Sequence, residues 1–325
     1  MDITLLEFVD ALFKGVGQVQ FHDSFITGIF FLTGIALYSR RLALLAFVGS
    51  VVGTLTGMAL GANEYWITFG LFGFNSVLTA EALYLFVKPT RDSMVYNIIG
   101  VVATAIAMAF LTVFFKPWNL PALTGPFNII TFVFLFAVAT QILRPSDSFG
   151  WWKPWPTFDE KWTPVEFIKT VFRGMAQVMF CDDWRTGVLF FIGFTLGGYF
   201  TYPWRFGEAG MTLGFPYGLG GVVAFVGSFI GTSVAIAFKA DINAVKHGLY
   251  GYNSVLTALA LFGVFLHLTP TNFIYMAFWA AVTTIMMAAW QEIYRPYGIP
   301  PLTWPFCLIT WIALWAIQLF PGVFT

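Results

Sequence analysis

Charge is what this sequence has least of. Lysine and arginine together number 16, aspartate and glutamate another 16, and the formal net charge is zero. Without an excess of either sign, no nucleic acid or acidic partner is implied. Histidine is scarcer still, with three copies (His22, His247, His267) far apart in the chain. The only cysteines are Cys181 and Cys307. A disulfide framework, a metal-ligating set and a cofactor are therefore not expected. Basic residues are also missing from the first few positions, which carry Asp2, Glu7 and Asp10. No cleavable signal is expected, and the first apolar span would itself direct insertion.

What the chain has instead is apolar length. Hydrophobic residues make up 58% of it and charged residues 10%, where soluble proteins carry about 25% charged. A helix needs roughly 20 mostly apolar residues to cross a bilayer. Residues 41–60, 65–87, 93–115, 124–143, 215–238, 271–291 and 303–322 are of that kind, and shorter runs lie at 25–38, 186–200 and 249–268. Apolar residues come in continuous blocks, which argues against a β-barrel. The fold class is all-α integral membrane, with the lipid bilayer as surroundings. Residues 1–14 place Leu5, Phe8, Val9 and Leu12 at helical spacing.

The chain also says the same thing twice. LFGFNSVLTAEAL (71–83) returns as LYGYNSVLTALAL (249–261), and LPALTGPF (120–127) as IPPLTWPF (299–306). FVGSVVGT (47–54) returns as FVGSFIGT (225–232), and GVGQVQFHD (15–23) as GMAQVMFCD (174–182). Four blocks in one order define two membrane repeats, 1–143 and 166–325. Between them, residues 144–165 are rich in proline and tryptophan and read as an interfacial linker. The spacing between equivalent residues widens after the first block, which places an insertion near 198–220. In an apolar chain such duplication marks a transporter or channel with its path between the repeats. An odd number of crossings per half would set the halves in opposite orientations. Residues 4–21 and 65–87 are both candidates for a re-entrant piece.

Residues kept in both copies are of three kinds. Polar, uncharged ones are Gln18 and Gln177, Asn75 and Asn253, Ser76 and Ser254, Thr124 and Thr303. Aromatic ones are Phe21 and Phe180, Phe74 and Tyr252, Phe127 and Phe306. Backbone shapers are Gly73 and Gly251, Pro121 and Pro300, Pro126 and Pro305. The cysteines fall outside this set, standing opposite His22 and Asn128. Asp23 and Asp182 are the shared acids, expected near the membrane surface. Ion-coupled carriers place carboxylates or basic groups at membrane depth. Here Glu81 is the one acid well inside a predicted span, and its counterpart is Leu259. The pattern suits a neutral, polar, flat solute. Amide and hydroxyl oxygens, with carbonyls freed by proline, replace the hydrogen bonds it loses on leaving water. Plainer readings stand beside this one. The Asn-Ser pairs serve equally as contacts between helices, the prolines as packing kinks, the threonines as bonds to their own helix, and Glu81 as half of a buried pair.

The doubled Leu-Pro-x-x-Thr-x-Pro-Phe motif, with Ile299 replacing leucine in the second copy, follows GFNSVL and GYNSVL. Together these resemble the urea transporter family, over essentially the whole chain. The resemblance implies a homotrimer with one pore per subunit. Each subunit would have ten spans and two short re-entrant helices in inverted halves. It implies passive, channel-like urea transport and no enzymatic activity. The lack of long added termini is similar to bacterial members, hence a multi-pass protein of the bacterial inner (plasma) membrane. Carried over by motif, Gln18 and Gln177 would be acceptors at the two mouths. Phe21, Phe74 and Tyr252, with Val19 and Val178, would wall the outer and inner sites. Leu78, Leu256, Thr124 and Thr303 would form the central constriction. Tyr252 departs from the family's phenylalanine, and some relatives carry glutamate where this chain has Gln177. Competing readings are a passive channel for another small neutral solute (short amides, ammonia, water), a cation-coupled carrier and a membrane-embedded enzyme.

Overall fold

Away from water, a backbone must satisfy its own hydrogen bonds, and an unbroken apolar block does so as a helix. The structure, a computed structural model, describes residues 3–88, 90–140, 162–201 and 218–320. Its first half contains α1 (Leu5–Gly17), α2 (Phe25–Tyr38), α3 (Arg40–Ala59), α4 (Glu64–Thr68), α5 (Phe74–Phe86), α6 (Arg91–Phe115) and α7 (Gly125–Ala139). The second contains α8 (Pro164–Gln177), α9 (Trp184–Thr201), α10 (Leu219–Ala237), α11 (Ile242–Lys246), α12 (Tyr252–Leu259), α13 (Pro270–Tyr294) and α14 (Trp304–Ala316). The same seven-helix order thus recurs among the described residues. Most of the linker at 144–165 and of the insertion near 198–220 lies outside them.

Helices α3 and α10, and α6 and α13 with the turns that follow them, are long and apolar enough to cross a membrane. The expected single span over 65–87 is corrected. The chain breaks there into α4 and α5, because Gly70 takes a left-handed φ of 77°. Gly248, at φ 76°, makes the same break between α11 and α12. Residues 124–143 and 303–322 yield the shorter α7 and α14. Near the start, α1 and its 3-10 turn meet α2 at 71°. The chain therefore bends within the candidate re-entrant segment 65–87 and at the end of the candidate 4–21.

Glycine and serine let the helices close on one another. A Cβ on Gly15 would lie 2.6 Å from Ser50 Oγ and 3.2 Å from Gly73 Cα; one on Gly174 would lie 2.1 Å from Ser228 Oγ and 3.1 Å from Gly251 Cα. Ser50 Oγ donates to Leu12 O at 2.7 Å and Ser228 Oγ to Val171 O at 2.6 Å. Three of the repeated blocks are therefore one contact, made once in each half. Gly174→Leu should force α8 off α12, at a cost above the about 1–3 kcal/mol typical of overpacking. Size-exclusion of the detergent-solubilised variant should lose its monodisperse peak; an unchanged profile would mean the contact is dispensable.

Between the halves, α2 packs on α9. Thr27 Oγ1 donates to Gly193 O and Thr186 Oγ1 to Gly34 O, both at 2.9 Å. The rings of Phe31 and Phe190 meet at a tilt of 31° with centroids 4.3 Å apart. Equivalent residues thus meet each other or exchange partners, the contact pattern of a two-fold arrangement.

Candidate functional site

The two Leu-Pro-x-x-Thr-x-Pro-Phe segments lead into α7 and α14. Leu123 and Leu302 turn the chain with φ of 52° and 48°. Pro126 and Pro305 then sit in the first helical turn, where no intrahelical N–H is needed. They start helices and do not kink them. That corrects the expectation for the carbonyls one turn before these two prolines, since Ala122 O accepts from Gly125 N at 3.1 Å and Pro301 O from Trp304 N at 3.3 Å. Leu123 O accepts from Asn75 Nδ2 at 3.1 Å. Leu302 O accepts from Asn253 Nδ2 at 3.2 Å and from Tyr252 Oη at 2.6 Å. Pro121 O accepts from Trp311 Nε1 at 2.8 Å. The asparagine oxygens in turn accept from Phe127 N and Phe306 N, each at 3.2 Å. Asn75 and Asn253 are therefore the frame that holds the two motifs. The plainer reading fits the serines, since Ser76 Oγ donates to Val101 O and Ser254 Oγ to Ala280 O on neighbouring helices.

The motifs bring Thr124 and Thr303 together across the halves, with their hydroxyl oxygens 2.6 Å apart. Both side chains are buried, and Leu78 and Leu256 are fully so. The threonines bond each other across the halves, which the plainer reading of separate bonds within each helix does not describe.

Thr303 also faces a cavity of about 410 Å³, counting solvent space at its mouth. Four aromatic rings line it, Phe86, Phe127, Phe180 and Tyr252, together with Gln177, Val178, Leu249, Pro300 and Leu302. Of the expected site residues it gathers Gln177, Val178, Tyr252 and Thr303. Thr124 adjoins it through Thr303. Gln18, Val19, Phe21, Phe74, Leu78 and Leu256 are not in its wall. Phe21 stands edge-on to Phe306 and Phe265, with centroids 5.9 and 6.0 Å away. Phe180 stands likewise to Phe127 and Phe86, at 6.3 and 6.0 Å. Each half thus sends one ring, held at a left-handed φ of 61° or 56°, against two rings of the other.

Phe86, Phe127 and Phe180 were missing from the expected site. Phe127 and Phe180 carried a usable signal, since both are duplicated. Phe86 carried none, because its spatial counterpart Phe265 follows a π-helical turn at Ala260–Val264. Such a turn adds one residue and shifts the register of the repeat.

In the cavity wall Gln177 Nε2 donates to His247 O at 2.8 Å; in the first half Gln18 Nε2 donates to Phe69 O at 3.2 Å. Anchoring the amide nitrogen fixes which end is the acceptor. Charges nearby are paired. Arg173 Nη1 lies 2.6 Å from Glu166 Oε1 and 3.2 Å from Lys246 O, and Asp182 binds the His247 imidazole. Asp23 is buried in the protein. His22 Nδ1 lies 2.8 Å from Thr27 Oγ1. Glu81 is fully buried, and neither of its carboxyl oxygens has a hydrogen-bond partner among the described residues. It is not half of a buried pair there. No group of three His, Cys, Asp or Glu that could hold a metal occurs among the described residues.

The family model described as Urea transporter matches residues 9–202 and 212–318. The chain belongs to the urea transporter family. It is similar to Urea transporter 1 of Rattus norvegicus, 27% identical over 321 residues, which is 95% of this chain and 77% of the relative. Urea transporter 1 of Ovis aries is 27% identical over 330 residues, 98% of this chain and 79% of the relative. Urea transporter 1 of Mus musculus is 27% identical over 331 residues, 98% and 80%. In this member of the family, then, aromatic rings, an anchored amide and the Thr303 hydroxyl meet in one cavity, with Thr124 bonded behind Thr303. No Asp, Glu, Lys, Arg or His is among its lining residues.

Proposed function

We propose that this protein lets urea cross the membrane passively, through a narrow slot along the line where its two halves meet. The observation that carries the reading is the cavity itself. It is walled by four rings, provided with Gln177 and Thr303 oxygens, and free of Asp, Glu, Lys, Arg and His. Flat rings select a flat solute, and oxygens replace the water its N–H groups give up. Ion-coupled transport would call for ionisable groups on the path.

In this reading Gln18 and Gln177 accept N–H groups at the two mouths. Phe21 and Phe74 with Val19, and Tyr252 with Val178, wall the two sites. Thr124 and Thr303 with Leu78 and Leu256 form the constriction between them. Ten crossings, two re-entrant helices and oppositely oriented halves belong to the same proposal, as do a homotrimeric assembly and a bacterial inner membrane. The reciprocal α2–α9 contacts support the two-fold relation. Passage of another small neutral solute is the alternative that shares this slot.

The test is solute flux into proteoliposomes without an ion gradient. Urea entry should saturate weakly, run equally in both directions and ignore membrane potential. Urea accumulation driven by an imposed proton gradient would sink the proposal; flux of acetamide or water without urea would favour the alternative. Gln18→Ala and Gln177→Ala should each raise the urea barrier by about 1–3 kcal/mol, one unmet buried donor apiece. Unchanged flux in both well-assembled variants would place these side chains off the path.

A further inference from the structure

The Thr124–Thr303 contact is one side of a closed ring of four hydrogen bonds. Thr124 Oγ1 lies 2.6 Å from Thr303 Oγ1 and 3.2 Å from Cys307 Sγ. Thr303 Oγ1 lies 3.1 Å from Asn128 Oδ1, and Asn128 Nδ2 lies 3.4 Å from Cys307 Sγ. All four side chains are buried. Asn128 and Cys307 occupy equivalent positions in the two repeats, so the ring closes on two twins of the repeat that have diverged.

The ring has a direction, and one backbone group sets it. Thr303 N–H, which can only donate, lies 3.1 Å from the Asn128 side-chain oxygen. That contact fixes the amide with Oδ1 toward Thr303 and Nδ2 toward Cys307. Each hydroxyl and the thiol has a single proton to give. Thr303 gives its proton to Asn128 Oδ1, so it must accept from Thr124. Thr124, having given its proton to Thr303, must accept from the Cys307 S–H. The Cys307 sulfur accepts from Asn128 Nδ2, and the circuit closes. Both threonine protons are spent inside the ring, and each oxygen keeps one lone pair.

We propose that Asn128 and Cys307 are positioning residues: by closing this ring they make Thr124 and Thr303 present acceptors only, and no donor, to the passing solute. This rests on reading the threonine pair as the constriction of a urea path. The preference that follows is for a solute rich in N–H donors. A hydroxyl left free to rotate would turn its proton toward the solute in part of its population and meet an N–H donor with a donor. Orientation in advance avoids reorganisation as the solute passes.

Cys307→Ser restores both a donor and an acceptor to the ring, whereas Cys307→Ala opens it. The probes are urea and acetamide, planar molecules of similar shape in which one amino group is replaced by a methyl. Each flux is measured in proteoliposomes and corrected for protein-free vesicles. Cys307→Ser should keep urea flux within about threefold of the parent, and Cys307→Ala should lose about tenfold, the scale of one hydrogen bond. The urea-to-acetamide ratio should fall in Cys307→Ala and not in Cys307→Ser, a change that mere loosening of the packing would not produce. An unchanged ratio in Cys307→Ala, or a Ser variant as impaired as the Ala variant, overturns the proposal.

A readout independent of transport is the S–H stretch of Cys307, taken from the infrared difference between parent and Cys307→Ser. A band below the free-thiol frequency is expected, and a free-thiol band overturns the ring even if Cys307→Ala fails to assemble. Failure of the parent to conduct urea would sink the proposed function while leaving this spectroscopic result to stand or fall by itself.

Discussion

Urea flux through proteoliposomes containing Thr124→Val should fall about tenfold, and Thr303→Val should fall comparably. Valine keeps the shape of threonine and removes only the hydroxyl, so the change separates chemistry from packing. Each hydroxyl sits in a buried contact 2.6 Å from the other. Losing one strands its partner as well as removing an acceptor from the proposed path. The two substitutions touch, so their effects should couple and not simply multiply. Most of the loss belongs to whichever is made first, because either one opens the ring. Thr124→Val/Thr303→Val should be worse than each single variant but well short of the product of the two. Full urea flux through a stable double variant would leave the proposed constriction without polar groups.

The sequence made the repeat and its polar threonines plain, because duplicated residues stand out in a chain of otherwise interchangeable apolar ones. Asn75 and Asn253 were visible as repeated residues, but their partners were not. That each grips the carbonyl of Leu123 or Leu302 depends on a contact across some 50 positions. Pro126 and Pro305 were misread for a physical reason. A proline that starts a helix and one that kinks it look alike until the helix boundary is known. The breaks at Gly70 and Gly248 escaped because hydropathy takes no account of φ. Phe86 and Phe265 escaped because the π-helical turn at Ala260–Val264 puts their equivalence one residue out of step. Cys307 was visible opposite Asn128, but their link was not, because the two residues work together by being different.

Asn75→Ala should destabilise the protein more than Asn253→Ala, although the two asparagines are equivalent. Each holds one carbonyl and one amide of the following motif, all buried. Removing Asn75 strands Leu123 O and Phe127 N–H, a cost of about 1–3 kcal/mol for each group. Removing Asn253 strands only Phe306 N–H, because Leu302 O keeps the Tyr252 hydroxyl at 2.6 Å. The difference comes from Tyr252, whose counterpart Phe74 has no hydroxyl to offer. The surroundings otherwise match, with Met108 Sδ near Asn75 Nδ2 and Met287 Sδ near Asn253 Nδ2. Phe74→Tyr should therefore rescue part of the loss in Asn75→Ala by giving Leu123 O a second donor, while doing little in the parent. Thermal unfolding in detergent should rank the parent first, then Asn253→Ala, with Asn75→Ala lowest and Asn75→Ala/Phe74→Tyr between the last two. Equal losses from the two asparagines, or no rescue by the tyrosine, would show that these carbonyls do not depend on the partners assigned to them.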